Sequence, residues 1–271
     1  MNDIFARTAG EIAREAGSLL KHFSETHKLQ VENKGSEYDF VTNADRESQR
    51  LVEGRLREAF PGHRFVGEED GVPDDEIARR IHAAGPDEYL WICDPLDGTI
   101  NYVHHLGLYA VSLGLVRGGK CVAGAIYLPE FDELFCGAAG EGATLNGRPI
   151  RASAVDSLHL AVTAADIPVT DLVMRQRFLG WMAEVGMNTS NLRVTGSACM
   201  SIALTACGRV DAYWNVGVHP WDVAAGIAIC ESAGCAVSDI YGDPFRFDMS
   251  RGFLVCTPGL KGQFGPHIHE P

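Results

Sequence analysis

The segment Asp94-Pro95-Leu96-Asp97-Gly98-Thr99 sets two carboxylates close together, across a turn that Pro95 and Gly98 help define, with a hydroxyl beside the glycine. Carboxylates held this near each other repel unless a cation lies between them. Their oxygens, a carbonyl and room for water suit a hard cation such as Mg²⁺. The donor set points to metal-assisted chemistry on an oxyanion, a phosphate ester above all. Three more acidic elements accompany it: Thr42-Asn43-Ala44-Asp45, Gly67-Glu68-Glu69-Asp70 and His219-Pro220-Trp221-Asp222. Alone, the first reads as a helix cap and the second as a solvated turn. The third reads as a helix start, with Pro220 in the first turn and Asp222 complementing the dipole.

The elements that must hold these residues can be read around them. Tyr89 to Cys93 is a short buried strand, so Asp94 appears where an apolar run ends, on a rigid element. Ile4, Phe5, Ala9, Ile12, Ala16, Leu19, Leu20 and Phe23 fall at helical spacing, and a second helix spans Ala44 to Phe60, stopped by Pro61-Gly62. Lys34 to Asp39 reads as a mobile loop or hairpin turn. Strands are expected at 109–116, 121–128 and 133–137, with a tight turn at Asn146-Gly147. The first half is therefore helices on an antiparallel sheet. The second half alternates: strands at 159–164, 192–195, 210–214, 235–239 and 253–256, and helices at 171–185, 197–207 and 221–232. The division falls into an N-terminal α+β subdomain, 1–153, with most of the acidic elements, and a C-terminal α/β subdomain, 154–271. Residues 262–271 read as a loose tail. Trp91 and Trp181 are read as core.

The chain has 271 residues, 46% of them hydrophobic, enough for a sizeable core. Acidic residues outnumber basic ones 36 to 23, for a formal charge of −13. That balance argues against direct nucleic-acid binding and anionic membranes, and it leaves a phosphate substrate in need of cations. None of the eight cysteines forms a C-x-x-C pair, so reduced, buried thiols in a cytoplasmic protein are expected. The first helix carries Asp3, Glu11 and Glu15, unlike a signal peptide or a membrane span.

Taken together, the four acidic elements resemble those of the inositol monophosphatase family of magnesium-dependent, lithium-sensitive phosphatases. The likeness runs from Lys34 to about Gly234. It rests on Val41-Thr42-x-x-Asp45, Gly67-Glu68-Glu69, Trp91-Ile92-x-Asp94-Pro95-Leu96-Asp97-Gly98-Thr99-x-Asn101-Tyr102-Val103-His104 and Trp221-Asp222-Val223-Ala224-Ala225-Gly226. It implies an α+β fold, a layered α/β/α/β/α sandwich of the inositol monophosphatase and sugar phosphatase type. It implies a homodimer and two to three Mg²⁺ ions. Glu68, Asp94 and the Leu96 carbonyl resemble the ligands of the first ion; Asp94, Asp97 and Asp222 those of the second; Glu68 would also hold a weaker third.

By the same resemblance, Thr99 and Asp45, together with Glu68, orient and help deprotonate the attacking water. Gly98 and Thr99 offer backbone N–H groups to the phosphate, and Lys34 matches a lysine of the family's mobile loop. Leu96, Asp97, Gly98, Thr99, Gly196, Ser197, Ala198, Asn215 and Asp222 would line the substrate site. The physical logic agrees, because metal ions replace missing basic residues and in-line attack then needs positioning and electrostatics. An Asp nucleophile in Asp-x-Asp-x-Thr spacing is excluded, since the second Asp here comes one residue later.

Two residues depart from the pattern. Asn215 stands where inositol-specific members usually carry a glutamate, and Ile100 replaces a common second threonine. The expected function is hydrolysis of a small phosphomonoester, myo-inositol 1-phosphate first. Histidinol phosphate, fructose 1,6-bisphosphate, 3′-phosphoadenosine 5′-phosphate and NADP are the alternatives within the same chemistry. A regulatory partner of the transcription machinery is the alternative of another class.

Overall fold

The computed structural model describes residues 2–26, 29–33, 40–168 and 172–268. Lys34 and the rest of its loop lie outside the described residues. In chain order the elements are α1 (Asn2–Glu25), β1 (Val31–Asn33), β2 (Phe40–Thr42), α2 (Asn43–Ala59), β3 (Arg64–Gly67), α3 (Asp74–Ala83), β4 (Tyr89–Asp97), α4 (Thr99–Val103), β5 (Ala110–Arg117), β6 (Lys120–Leu128), β7 (Glu133–Ala138), β8 (Gly142–Leu145) and β9 (Arg148–Pro149). They continue with β10 (Val162–Ala164), α5 (Leu172–Met187), β11 (Asn191–Arg193), α6 (Ala198–Ala206), β12 (Ala212–Asn215), α7 (Pro220–Ser232), β13 (Ala236–Ser238) and β14 (Phe253–Cys256).

Strands β3 to β9 form a seven-stranded sheet in sequence order, and the second sheet has the order β11-β10-β12-β14-β13. Strict alternation along the strands divides the apolar side chains between layers. Val111, Leu113 and Leu115 of β5 face α1 and α2, packing with Phe5, Ile12, Leu20 and Trp91. Ala110 and Val116 face the other way, into a core with Ile202 of α6, Val223 and Ile227 of α7, and Tyr213, Phe253 and Val255 of the smaller sheet. The alternate residues Ala212, Trp214, Leu254 and Cys256 turn outward against Phe178, Trp181 and Val185 of α5. The result is five layers, α/β/α/β/α, with α6 and α7 between the two sheets. Among the described residues no helix is long and apolar enough to cross a membrane.

Several sequence expectations need correction. The large sheet is mixed, because β3 pairs with β4 in parallel. The strand expected to stop at Cys93 runs on to Asp97, and the expected turn is a bulge within it. Asp94 opposes Ser112 and Asp97 opposes Ala110, so one extra residue sits between the two aspartates. Pro95 has no N–H to give the ladder, which makes this the natural place to interrupt pairing. Residues three apart on a regular strand point to opposite faces; the bulge returns both carboxylates to one side.

The strand expected over 159–164 begins as a 3-10 turn, Leu158–Leu160, and only 162–164 pairs. Helices α3 and α4 were not anticipated, the first because its sequence is acidic and short, the second because it spans a single turn. The tail is docked up to Ile268: Phe264 and Ile268 bury their side chains beside α5 and Trp214. Asn146 and Gly147 both have positive φ, 49° and 76°, as a two-residue hairpin turn demands.

Candidate active site

Three helix starts and one strand end converge on a cleft of about 300 Å³. Its lining includes Glu68, Asp94, Leu96, Asp97, Gly98, Thr99, Gly196, Ala198, Asn215 and Asp222. Every sequence-selected site residue within the described chain lines this cleft or contacts a residue that does. Lys34 falls outside the described residues.

Asp94, Asp97, Asp222 and Asp45 are each held in place by hydrogen bonds from the backbone or from hydroxyls around them. Asp94 Oδ1 accepts the Leu96 N–H at 3.0 Å. Asp97 sits before the first turn of α6, where the Cys199 N–H (2.9 Å), the Ala198 N–H (3.3 Å) and the Ser197 hydroxyl all donate to it. Asp222 caps α7 by accepting the His219 N–H at 2.7 Å. Asp45 lies fully buried in the first turn of α2. Its Oδ2 accepts the Thr42 N–H and hydroxyl at 2.9 and 2.6 Å, and the Thr99 hydroxyl stands 3.3 Å from its Oδ1 and 3.0 Å from the Leu96 carbonyl.

In the acidic turn Glu69 and Asp70 have structural roles. The Glu69 N–H donates to Gln49 Oε1, Gln49 Nε2 donates to Asp70, and Asp70 accepts the Gly67 N–H. Glu68 is the member that reaches the cleft. A Cβ at Gly67 would lie 2.1 Å from Gln49 Oε1, so a larger residue there would displace the Gln49 amide that ties the turn together. Gly98, at φ 86°, tucks under Leu108, and Asn101 donates to the Leu108 and Thr195 carbonyls at 2.7 and 2.8 Å, tying α4 to the segment before α6.

The cluster is electrostatically strained without a cation. Burial first, then the Glu68, Asp97 and Asp222 charges, holds Asp94 well above the usual carboxylate range. Burial and the Asp222 charge lift Asp97 to about 8, against the Ser197 and Cys199 hydrogen bonds. Asp222 is raised to about 6 by burial, with His219 opposing. Asp45 reaches about 7, chiefly by burial, with Glu68 and Glu69 adding to it. Burial pulls His219 down, but its hydrogen bond to Asp74 at 2.9 Å and the Asp222, Asp74 and Glu68 charges outweigh that and leave it at about 9.

These are hard oxygen donors, and the repulsion among them is what a divalent cation would relieve, so the residues fit Mg²⁺. Cys199 Sγ lies within 4.8 Å of Asp94 and Asp97 oxygens, but its thiol donates to the Asp222 carbonyl and burial keeps it protonated. A buried neutral thiol is a poor ligand for a hard ion.

Sequence reasoning missed Asp166, Tyr213 and Asn101 as members of this site. Asp166 stands two residues beyond the end of β10, where the apolar pair Ala164-Ala165 stops, a context like the one that made Asp94 conspicuous. It accepts the Thr195 and Gly196 N–H groups at 2.9 and 2.6 Å. Asn215 donates to the Tyr213 hydroxyl at 3.1 Å, while its own oxygen accepts the Val216 and Gly217 N–H groups.

Comparison with known proteins supplies a context for this cleft. A family model described as the inositol monophosphatase family matches residues 1–270. The chain is 37% identical to an inositol-1-monophosphatase of Mesorhizobium japonicum, over 88% of this chain and 86% of that protein. It is 35% identical to the Nus factor SuhB of Vibrio cholerae, over 95% and 93% of the two chains. The crystal structure of the extragenic suppressor protein suhB from Bartonella henselae superposes with a TM-score of 0.85 at 32% identity, covering 97% of this chain and 98% of that one.

Proposed function

The chain belongs to the inositol monophosphatase family, and from that premise we propose that it hydrolyses a small phosphomonoester with Mg²⁺ bound, myo-inositol 1-phosphate being the first candidate. The observation that carries the reading is the convergence of Glu68, Asp94, Asp97 and Asp222 on one cleft. Glu68, Asp94 and the Leu96 carbonyl would hold one ion, Asp94, Asp97 and Asp222 a second, and Glu68 a weaker third. The ions supply Lewis-acid chemistry, neutralising phosphoryl charge and acidifying water.

The chain's own groups do the positioning. Thr99 shares its hydroxyl proton between Asp45 and the Leu96 carbonyl, which leaves an oxygen lone pair to accept a hydrogen bond from the attacking water. Asp45, with its raised pKa, is suited to take up a proton through Thr99 near neutral pH. Gly98 and Thr99 would direct backbone N–H groups at the phosphate, and by the family resemblance Lys34, outside the described residues, would add positive charge. Gly196, Ala198 and Asn215 line the part of the cleft where the alcohol would lie, and the buried Ser197 supports that wall through its hydroxyl on Asp97. Asp94→Asn removes a donor from both proposed ion sites and should cost at least about a hundredfold in kcat. Full Mg²⁺-dependent phosphate release by that variant would overturn the mechanism.

The assembly is inferred to be a homodimer. Leu160, Leu172, Val173, Met187 and Val194 are each more than half exposed, a heavy apolar load on one stretch of chain. Lithium inhibition is expected from the family, and eight free cysteines fit the cytoplasm. The likeness to a protein named Nus factor SuhB supports a second reading, a protein partner of the transcription machinery independent of catalysis. A pull-down from source lysate with Asp94→Asn separates the two: recovery of transcription proteins by the inactive variant supports it, and their absence with both forms removes it. The formal charge of −13 argues that such contact is with protein and not with RNA.

A further inference from the structure

We infer that Asp166 is a specificity residue of this cleft, and that the phosphomonoester it favours carries a protonated nitrogen on its alcohol; the inference rests on the phosphatase reading above and displaces myo-inositol 1-phosphate as the first candidate within it. Asp166 lines the cleft yet is 8% exposed. Its Oδ1 is taken by the Thr195 and Gly196 N–H groups. Its Oδ2 is shielded from solvent and has no hydrogen-bond partner. Burial raises the Asp166 pKa, and the Gly196 and Thr195 N–H groups and the Tyr213 hydroxyl oppose that rise without giving Oδ2 a well-formed hydrogen bond. A buried acceptor left unpaired is costly, and such groups call for a specific explanation.

The neighbouring polar groups are already satisfied. Asn215 spends its oxygen on Val216 and Gly217 and its amide on Tyr213. A hydroxyl-rich alcohol therefore finds no free acceptor at Asn215. Asp97 is fully engaged by α6 and belongs to the proposed ion set. That leaves Asp166 as the acidic group on the cleft wall outside the proposed ion ligands. The anchoring hydrogen bonds all end on Oδ1, so the side chain can turn about that oxygen, and binding of a donor would bring Oδ2 to the cleft surface. A cationic N–H donor meets it there with a charge-assisted hydrogen bond, which a neutral hydroxyl does not match. The same uncompensated charge disfavours alcohols bearing a second phosphate.

The test uses the whole protein with Mg²⁺ and three esters: histidinol phosphate, its N-acetyl derivative and inositol 1-phosphate. Acetylation removes the positive charge and leaves the protein untouched. The wild type should prefer the amine over its N-acetyl form by about tenfold or more in kcat/KM. Asp166→Asn keeps an oxygen for Thr195 and Gly196, and in it that ratio should fall to near one. Equal kcat/KM for the amine and N-acetyl forms in the wild type, or a ratio unchanged in Asp166→Asn, overturns the inference. If no ester is turned over, the phosphatase reading fails separately. Calorimetric affinities of wild type for the same pair then decide the role of Asp166, equal affinities overturning it and a tenfold preference for the amine sustaining it.

Discussion

At the scale of single residues, the site is a set of carboxylates held one by one by the hydrogen bonds around them. Thr99 and Asp45 are proposed to act as a unit, so their substitutions should not add. Thr99→Ala and Asp45→Asn should each lower kcat by about a hundredfold, and the double variant should be little worse than either. Losses that multiply in steady-state assays would show the two acting separately. The raised carboxyls also fix a pH dependence. A metal ion needs deprotonated ligands, so Mg²⁺ affinity should rise, and proton release on binding should fall, as pH climbs through the values near 6 for Asp222 and 8 for Asp97. Calorimetry in buffers of differing ionisation enthalpy reads both quantities; a pH-independent affinity would contradict it. Asp94 was legible because a carboxylate where an apolar run ends has few other uses, whereas Asp45, Glu68 and Asp222, which alone read as a cap, a turn and a helix start, were legible only through the family resemblance. Asp166 escaped notice because, although it too ends an apolar stretch, no second carboxylate follows three residues later as Asp97 follows Asp94. The pairing of Asn215 with Tyr213 escaped because it depends on where a turn folds back.

At the scale of elements, α7 delivers Asp222 only because the large sheet lets it come close. Gly114 and Gly124 face α7, and a Cβ on either would lie 2.5 Å from Ala225 N or 2.3 Å from Ala225 O. Gly114→Ala should therefore cost at least about 2 kcal/mol in urea unfolding and weaken Mg²⁺ binding as Asp222 is pushed aside. Unchanged stability and affinity would mean that the sheet yields without moving the helix. The long helices and central strands were readable from periodicity, since α1 and β5 each show one consistent burial pattern. The bulge in β4 was not, because a proline between two aspartates reads equally well as a turn. Only the pairing with Ser112 and Ala110 reveals the extra residue.

At the scale of the whole molecule, five layers bring helix starts from both halves of the chain to one cleft, and the charges gathered there oppose folding. A carboxyl whose pKa is raised in the folded state holds its proton more tightly there than in the unfolded chain. Its stabilising contribution is present at low pH and is lost as pH rises through the folded value. Metal-free protein should thus lose stability as pH rises from about 4, where these carboxyls ionise in the unfolded chain, to about 6 for Asp222 and about 8 for Asp97, and the gain in Tm from Mg²⁺ should be larger at about pH 8.5 than at about pH 5.5. A gain independent of pH would break the link between the cluster and the ion. The layered class was legible from the alternation of patterns along the chain. That α6 and α7 lie between the sheets was not, since their sequences are apolar all round and name no partner. The most direct test of the central claim is phosphate release from inositol 1-phosphate, histidinol phosphate, fructose 1,6-bisphosphate and 3′-phosphoadenosine 5′-phosphate, with Mg²⁺ and then with EDTA. The account predicts turnover of at least one monoester that EDTA abolishes and Mg²⁺ restores; turnover indifferent to EDTA, or none on any ester despite measurable Mg²⁺ binding, would contradict it.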